Sequence, residues 1–337
     1  MKLSPEVAQA LAIRTLAANG TTPANAAMVA AALVAAEADG LASHGLARLP
    51  AYADQAAVGK VQAAATPILR RTAPAALMVD AASGFAYPAV AVGLKAAEEA
   101  VRDQGVVGLG IVNSHHFGAA GYHIEPLAAR GLIALAFSNA PASIAPWGGT
   151  KGLFGTNPIA FACPSGRGHP LVVDLSISKV ARGKIMVAAQ RNDPIPEGWA
   201  LDPQGRPTTD AKAGLAGTMI PMGDAKGAAL ALMVEILAAG LTGANFAYEA
   251  SSFFDAEGPP PHIGQFFLLI DPQKFGGVEV VTRIAALSGE ILKQPGTRLP
   301  GERRFALRAK AQAEGIEIPD ALYAEILRRS ERIMPGG

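Results

Sequence analysis

The sequence predicts an α/β protein in which helices from both ends of the chain pack together around a β-rich middle. Three observations predict it. Alanine-rich stretches with helix start and stop signals open and close the chain. Apolar runs of about four to eight residues, bounded by Gly, Pro and Asn, fill the middle as buried strands do. Half of the 337 residues are hydrophobic and only 17% are charged, which is ample for a core shared by two or three domains.

Each element follows from local chemistry. Ser4-Pro5 starts a helix over 5–18, since serine caps and proline is preorganised for the first turn. A second helix over 24–38 ends at Asp39-Gly40, and its alanines let neighbouring helices approach closely. "ALMVDA" (76–81) reads as a strand and 88–103 as a helix; strands follow at 105–113, 131–139, 157–164 and 170–178. Helical patterns return at 179–190 and 225–240, then a strand at 264–272 and helices near 276–291, 302–314 and 319–333. The Pro- and Gly-rich joints 191–224 and 255–263 read as surface excursions. A ligand is expected at the junction of the helical and β-rich parts, where clefts form.

Composition excludes several function classes. The net charge is +1, with Lys and Arg scattered, so neither nucleic acid nor an anionic membrane is the expected partner. Cys163 is the single cysteine, which leaves no intrachain disulfide and no thiolate metal cluster. The N-terminal segment carries Glu6 and Arg14 and does not read as a signal peptide. No run of about eighteen apolar residues occurs, so the cytoplasm is the expected location.

The candidate chemistry sits in a few short stretches. "DGLASHGLARLP" (39–50) groups Ser43, His44 and Arg48; on a helix His44 and Arg48 would share one face, a proton carrier beside a fixed cation. "IVNSHHFGAAGYHIEPLAARG" (111–131) ends a strand, offers two histidines and opens a helix through small residues, the arrangement of a phosphate site. His115, His116 and His123 lack H-x-x-x-H or H-E-x-x-H spacing, and no metal is expected. "PWGGTKGLFGTNPIAFACP" (146–164) brings glycines and Thr156 to a loop that either binds a polar ligand or merely turns. Asp174 in "VVDLSISKVARGK" (172–184) either meets a ribose hydroxyl or caps the next helix. Lys226 in a helix first turn and the arginines of "RLPGERR" (298–304) are further anion candidates. No G-x-G-x-x-G is present: in "GLGIVN" Asn113 stands where the third glycine belongs.

Jointly, "SHGLARLPAY", "NSHHFGAAGY", "LFGTNPIAFACP", "VVDLSISKVARGK", "IPEGWALDPQGRPTTD", "GDAKGAALALMVEIL" and "RLPGERR" resemble the malate/L-lactate dehydrogenase family of the non-Rossmann, sulfolactate dehydrogenase-like kind. The resemblance spans nearly the whole chain. It implies a mainly helical substrate and dimerisation domain from 1–110 and 275–337 around a β-rich NAD(P)-binding domain at 111–274, and a homodimer. It also implies His44 as proton donor oriented by Ser43, and a small anionic substrate held by Arg48, Thr156, Arg182 and Gly183. NADPH or NADH would be lined by His116, Phe117, Gly118, Ala119 and Ala120, by Asp174, Leu175 and Ser176, and by Lys226, Pro300, Gly301, Arg303 and Arg304.

Within the family, 245–272 looks most like the reductases of cyclic imino acids, Δ1-pyrroline-2-carboxylate and Δ1-piperideine-2-carboxylate, and that reading leads. One departure points to the 2-oxo acid and 2-hydroxy acid dehydrogenases instead. Lys184 and Val187 stand where an acid completing a Ser43–His44 relay would be expected, and no acid appears before Asp193. A nucleotide-binding protein without turnover is the alternative of another class.

Overall fold

The computed structural model describes residues 1–332, and its two chain ends form one helical layer. Ser4 opens α1 (Pro5–Ala17) by accepting the Val7 N–H, and Thr22 opens α2 (Pro23–Ala38) by accepting that of Asn25. Proline in the first turn of each helix adds a preset φ. From the other end, α11 (Asp320–Ser330) packs on α1 and on α3 (Leu49–Ala57). The two-residue strands β1 (Lys2–Leu3) and β12 (Ile316–Glu317) pair antiparallel and fasten the ends together. Leu16, Leu33, Leu49, Tyr52 and Ile326 form the shared core of this layer.

The central sheet has seven strands: β2 (Ile68–Ala73), β3 (Ala76–Asp80), β4 (Val106–Ser114), β11 (Ile263–Ile270), β5 (Ile133–Ser138), β6 (Ile159–Cys163) and β7 (Leu171–Leu175), in that spatial order. Only the β3–β4 pair is parallel, with α4 (Ala86–Gln104) as its crossover; every other neighbour is antiparallel. Such a sheet has no doubly wound switch point, in keeping with the missing glycine fingerprint. Along with α4, α5 (Ala120–Ala129) covers one face, over Val79, Leu109, Ile111 and Phe267. The sheet takes β2 and β3 from the N-terminal part, and the expected division at 110 falls inside β4.

Two local expectations are corrected. The stretch 191–224 is no mere excursion: β8 (Ala200–Leu201), β9 (Pro207–Thr208) and β10 (Thr218–Met219) make a small sheet beside α7 (Ala211–Ala216). Its core of Ile195, Ala200 and Met219 is shared with Ile185 of α6 (Arg182–Arg191). Two-residue strands are too short to show alternation. The helix at 225–240 divides into α8 (Ala225–Glu235) and a π turn at Ile236–Gly240. In the tail, α9 (Glu279–Leu292) and α10 (Glu302–Glu314) match their expected spans; residue 333 of the last expected helix lies outside the described residues. Among the described residues no helix is long and apolar enough to cross a membrane.

Arginines of α10 tie the helical layer to the sheet. Arg308 donates to both carboxylate oxygens of Asp39 at 2.8 and 2.9 Å and to Glu125 of α5 at 2.6 and 3.1 Å. One turn earlier, Arg304 lies 3.6 Å from Asp39 and 3.5 Å from Asp174. Asp39 is 6% exposed in its side chain, so losing Arg308 leaves a buried carboxylate with only the longer Arg304 contact. Arg308→Met is expected to cost about 2–4 kcal/mol in urea unfolding, below a fully buried pair because Arg308 keeps 39% of its side-chain surface. Adding Asp39→Asn to that variant should recover part of the loss, and strict additivity would show that the two groups do not interact.

Candidate active site

His44 and Arg48 do not lie on one continuous α-helix. Two 3-10 turns, Ala42–His44 and Leu46–Arg48, are broken at Gly45, which corrects the expected shared helical face. The break follows from a close approach: Glu37 Oε2 accepts the Leu46 N–H at 2.8 Å, and a side chain at residue 45 would collide with that carboxylate. Burial raises the Glu37 pKa, while the Leu46 N–H opposes the shift.

The turns bring three predicted residues together. Ser43 Oγ lies 3.1 Å from His44 Nδ1, and Arg48 Nε donates to the Ser43 carbonyl at 2.8 Å. The Arg48 guanidinium stacks 4.5 Å from the Phe254 ring centre, and its buried Nη1 has no hydrogen-bond partner. His116 sits beside them, its ring 5.6 Å from that of His44 and inclined by 25°. Tyr52 Oη lies 2.6 Å from His116 Nδ1 and 3.3 Å from Tyr87 Oη. Burial pushes the Tyr52 phenol up to about 12, so it stays protonated beside His116.

The histidines are held neutral. Burial, and then the Arg48 charge, bring His44 down to about 4. Burial likewise sets His115 at about 3, with Lys60 and Arg48 adding to it, and His123 at about 4. His116 lies well below its usual value for the same first reason, with Arg48 next. His123 Nε2 donates to the Phe117 carbonyl at 2.7 Å, while neither ring nitrogen of buried His115 has a partner. Aromatic rings of Tyr52, Phe85 and Phe253 surround His115 instead.

Ser43, His44, Arg48 and His116 open on a cleft of about 1360 Å³, lined also by Thr156, Ser176, Arg182, Gly183 and Lys184. That volume exceeds the roughly 300–1,000 Å³ of a typical small-ligand pocket and leaves room for a dinucleotide beside a small acid. Arg329, another lining cation, is paired with Asp54; Arg48, Arg182, Lys184 and Arg191 make no salt bridge among the described residues.

The remaining predicted residues stand away from the cleft lining. Phe117 is buried, and a Cβ at Gly118, where φ is +73°, would meet Tyr87 Oη at 2.6 Å. Ala119 and Ala120 begin α5, whose N-terminus has no side-chain cap. The Asp174 carboxylate accepts the Gly121 N–H at 2.9 Å and faces Arg304, whose buried Nη1 lacks a partner. The Asp174 carboxylate thus takes one of the free N–H groups at the start of α5, and Arg304 Nη1 is the donor left over beside it. Leu175, Lys226, Pro300, Gly301 and Arg303 do not line the cleft. Sequence reasoning missed Glu37, Tyr52, Phe253 and Phe254. Tyr52 alone carried a signal, standing four residues after Arg48 at helical spacing.

Comparison with known proteins places this geometry. Residues 3–327 match the model of the family described as malate/L-lactate dehydrogenase. A (2R)-3-sulfolactate dehydrogenase (NADP(+)) of Chromohalobacter salexigens is 52% identical over 324 residues, covering 96% of each chain. A Δ1-pyrroline-2-carboxylate reductase of Ancylobacter novellus is 40% identical over 329 residues, covering 97% of this chain and 96% of its own. The crystal structure of Δ1-piperideine-2-carboxylate reductase from Pseudomonas syringae pv. tomato superposes with a TM-score of 0.92 at 37% identity, over 98% of this chain and 99% of that one.

The neutral histidines give a stability prediction with a definite sign. Their folded pKa values lie below the unfolded value near 6.5, so the unfolded chain takes up protons first as the pH falls. Stability is therefore complete above about pH 6.5 and declines toward pH 4. His115→Phe removes one such group together with two unpartnered nitrogens. It should raise stability at pH 5.5 by about 1 kcal/mol more than at pH 8. Equal gains at both pH values in thermal unfolding would show that His115 is already charged when folded.

Proposed function

The chain belongs to the malate/L-lactate dehydrogenase family, and from that premise we propose that it interconverts a small 2-hydroxy acid and its 2-oxo acid with NADP(H), the substrate carrying a second anionic group as (2R)-3-sulfolactate does. The observation that carries this reading is a set of cations, Arg48, Arg182 and Lys184 with Arg191 further along α6, which line one cleft without a carboxylate partner among the described residues. A sulfonate and a carboxylate on one substrate would satisfy them together. The relative that is 52% identical bears the name (2R)-3-sulfolactate dehydrogenase (NADP(+)).

The residues divide the work. Arg48 grips the carboxylate with the free Nη1 edge of its guanidinium, and Arg182 and Lys184 meet the second anion. Ser43 fixes Nδ1 of His44, leaving Nε2 to exchange a proton with the substrate oxygen. His116, held by Tyr52, packs beside the His44 ring and limits water there. NADP(H), when bound, supplies or accepts the hydride at the substrate C2. His116 and Ser176 on the cleft, and Arg304 at the start of α5, would hold it.

The cyclic imino acid, which leads in the sequence reading, becomes the second reading here. It is supported by the relatives named as pyrroline- and piperideine-2-carboxylate reductases. Such a substrate has a single carboxylate and leaves Arg182 and Lys184 unmatched. Lys184 also stands where that branch would be expected to place an acid. Kinetics with sulfolactate, malate, lactate and both cyclic imino acids separate the two; faster turnover of an imino acid than of sulfolactate would overturn the first reading. Binding of NADPH with no turnover of any acid would make the protein a nucleotide binder.

Two measurements probe the roles. Lys184→Met should raise KM for sulfolactate about tenfold or more while leaving lactate within about twofold, since only the doubly charged substrate loses a charge-assisted contact. For oxidation, His44 must accept a proton and so be neutral. kcat/KM should stay level from pH 8 to 6 and fall only as the pH approaches the free-enzyme value of about 4. Reduction needs the protonated form, and its kcat/KM should decline as the pH rises over the same range. A reduction rate that is flat from pH 6 to 8 would remove His44 as the acid.

A further inference from the structure

Lys60, just beyond α3, is 3% exposed, and Asp255 is its salt-bridge partner among the described residues. Its ammonium donates to the carbonyls of Ser252 at 2.8 Å, Glu257 at 2.5 Å and Asp255 at 3.2 Å, and lies 3.2 Å from Asp255 Oδ1. Gln55 of α3 adds a bond from Nε2 to the Asp255 carbonyl at 2.8 Å. Residues 252–257 belong to no helix or strand, so these carbonyls have no ladder to join. Two side chains from the N-terminal layer therefore hold a segment about 190 residues further along the chain.

That segment carries Phe253 and Phe254. Phe253 packs 5.2 Å from the His116 ring and 5.3 Å from that of His115, and Phe254 lies under the Arg48 guanidinium. Burying an ammonium costs several kcal/mol unless its donors are met, and backbone carbonyls meet them here. We propose that Lys60 is a positioning residue: it fixes the 252–257 segment so that Phe253 and Phe254 hold His116 and Arg48 in their substrate-binding arrangement. The consequence is electrostatic as well as steric. With Phe254 in place, Arg48 is shielded from water, which strengthens its grip on an anion and keeps His44 neutral. The proposal deepens the functional reading above and rests on it where Arg48 is the carboxylate grip.

Lys60→Met keeps the stem and removes the donors; Gln55→Leu loosens the same segment more gently and serves if the first variant does not fold. Three readouts are compared with wild type. Phenylglyoxal modification of Arg48, mapped by mass spectrometry, should be about fivefold faster in Lys60→Met or more, because the guanidinium loses its cover. KM for the acid substrate should rise about tenfold with kcat within about threefold and NADPH affinity unchanged. The acid limb of kcat/KM for oxidation should move upward from about pH 4 as His44 regains water. Wild-type modification of Arg48 in both variants would overturn the anchoring. Faster modification with an unchanged KM and pH profile would overturn the positioning role. If wild type turns over none of the tested acids, the functional reading fails, and the Arg48 modification rates still decide whether Lys60 sets this wall.

Discussion

The site depends on Arg48, a cation with a buried donor left over. The Ser43 carbonyl and the Phe254 ring draw it partly out of water, and among the described residues no carboxylate pairs with it. A buried charge without a counter-ion is costly, and most folds avoid it by pairing. Here Nη1 is left without a partner, so the cost is offset only when an anion arrives. The same charge reaches His44, His115 and His116 and helps to keep each of them unprotonated. An anion trap and a set of neutral proton carriers are thus one arrangement, not two.

The rest of the fold keeps that arrangement in register. The Glu37 carboxylate of α2 ties down the Leu46 amide, so the turn bearing His44 is attached to the helical layer. The sheet supplies His116 from the end of β4, and Tyr52 of α3 reaches across to hold it. Arg308 and Arg304 bind α10 to Asp39 at the end of α2, to Glu125 and to Asp174 of β7. Helical layer and sheet are therefore joined at several charged points, and His44 and Arg48 of the one face the same cleft as His116 of the other.

Much of this was legible in the chain. The caps of α1 and α2 and the apolar run of β4 state their own structure, because each signal is local and strong. β2 was not legible: Ile68–Ala73 is exposed throughout and reads as "ILRRTA", an edge strand with no buried face to impose alternation. Ser43, His44 and Arg48 were found because they are close in sequence, although Gly45 defeats the simple helical geometry. Lys60, Phe253 and Phe254 were invisible for the opposite reason. Their roles exist only as contacts between distant segments, and no spacing rule reports those. Asp174 and Arg304 were both singled out for a cofactor, and what the fold adds is that they face one another beside α5.

The charge balance also connects substrate choice to chemistry. His44 near 4 is ready to accept a proton and poorly supplied with one to give. A carboxylate on Arg48 cancels the charge that is the second cause of that depression, and so moves His44 back toward its ordinary range. A substrate with a second anionic group carries this further, because its net negative charge exceeds what Arg48 alone contributes. Arg182 and Lys184 then let that charge enter without raising the cost of bringing it near Glu37, which lines the same cleft. On this argument a doubly anionic acid is both the better-held ligand and the one that best prepares its own proton donor. A singly charged acid receives the same grip from Arg48 and a smaller share of the protonation.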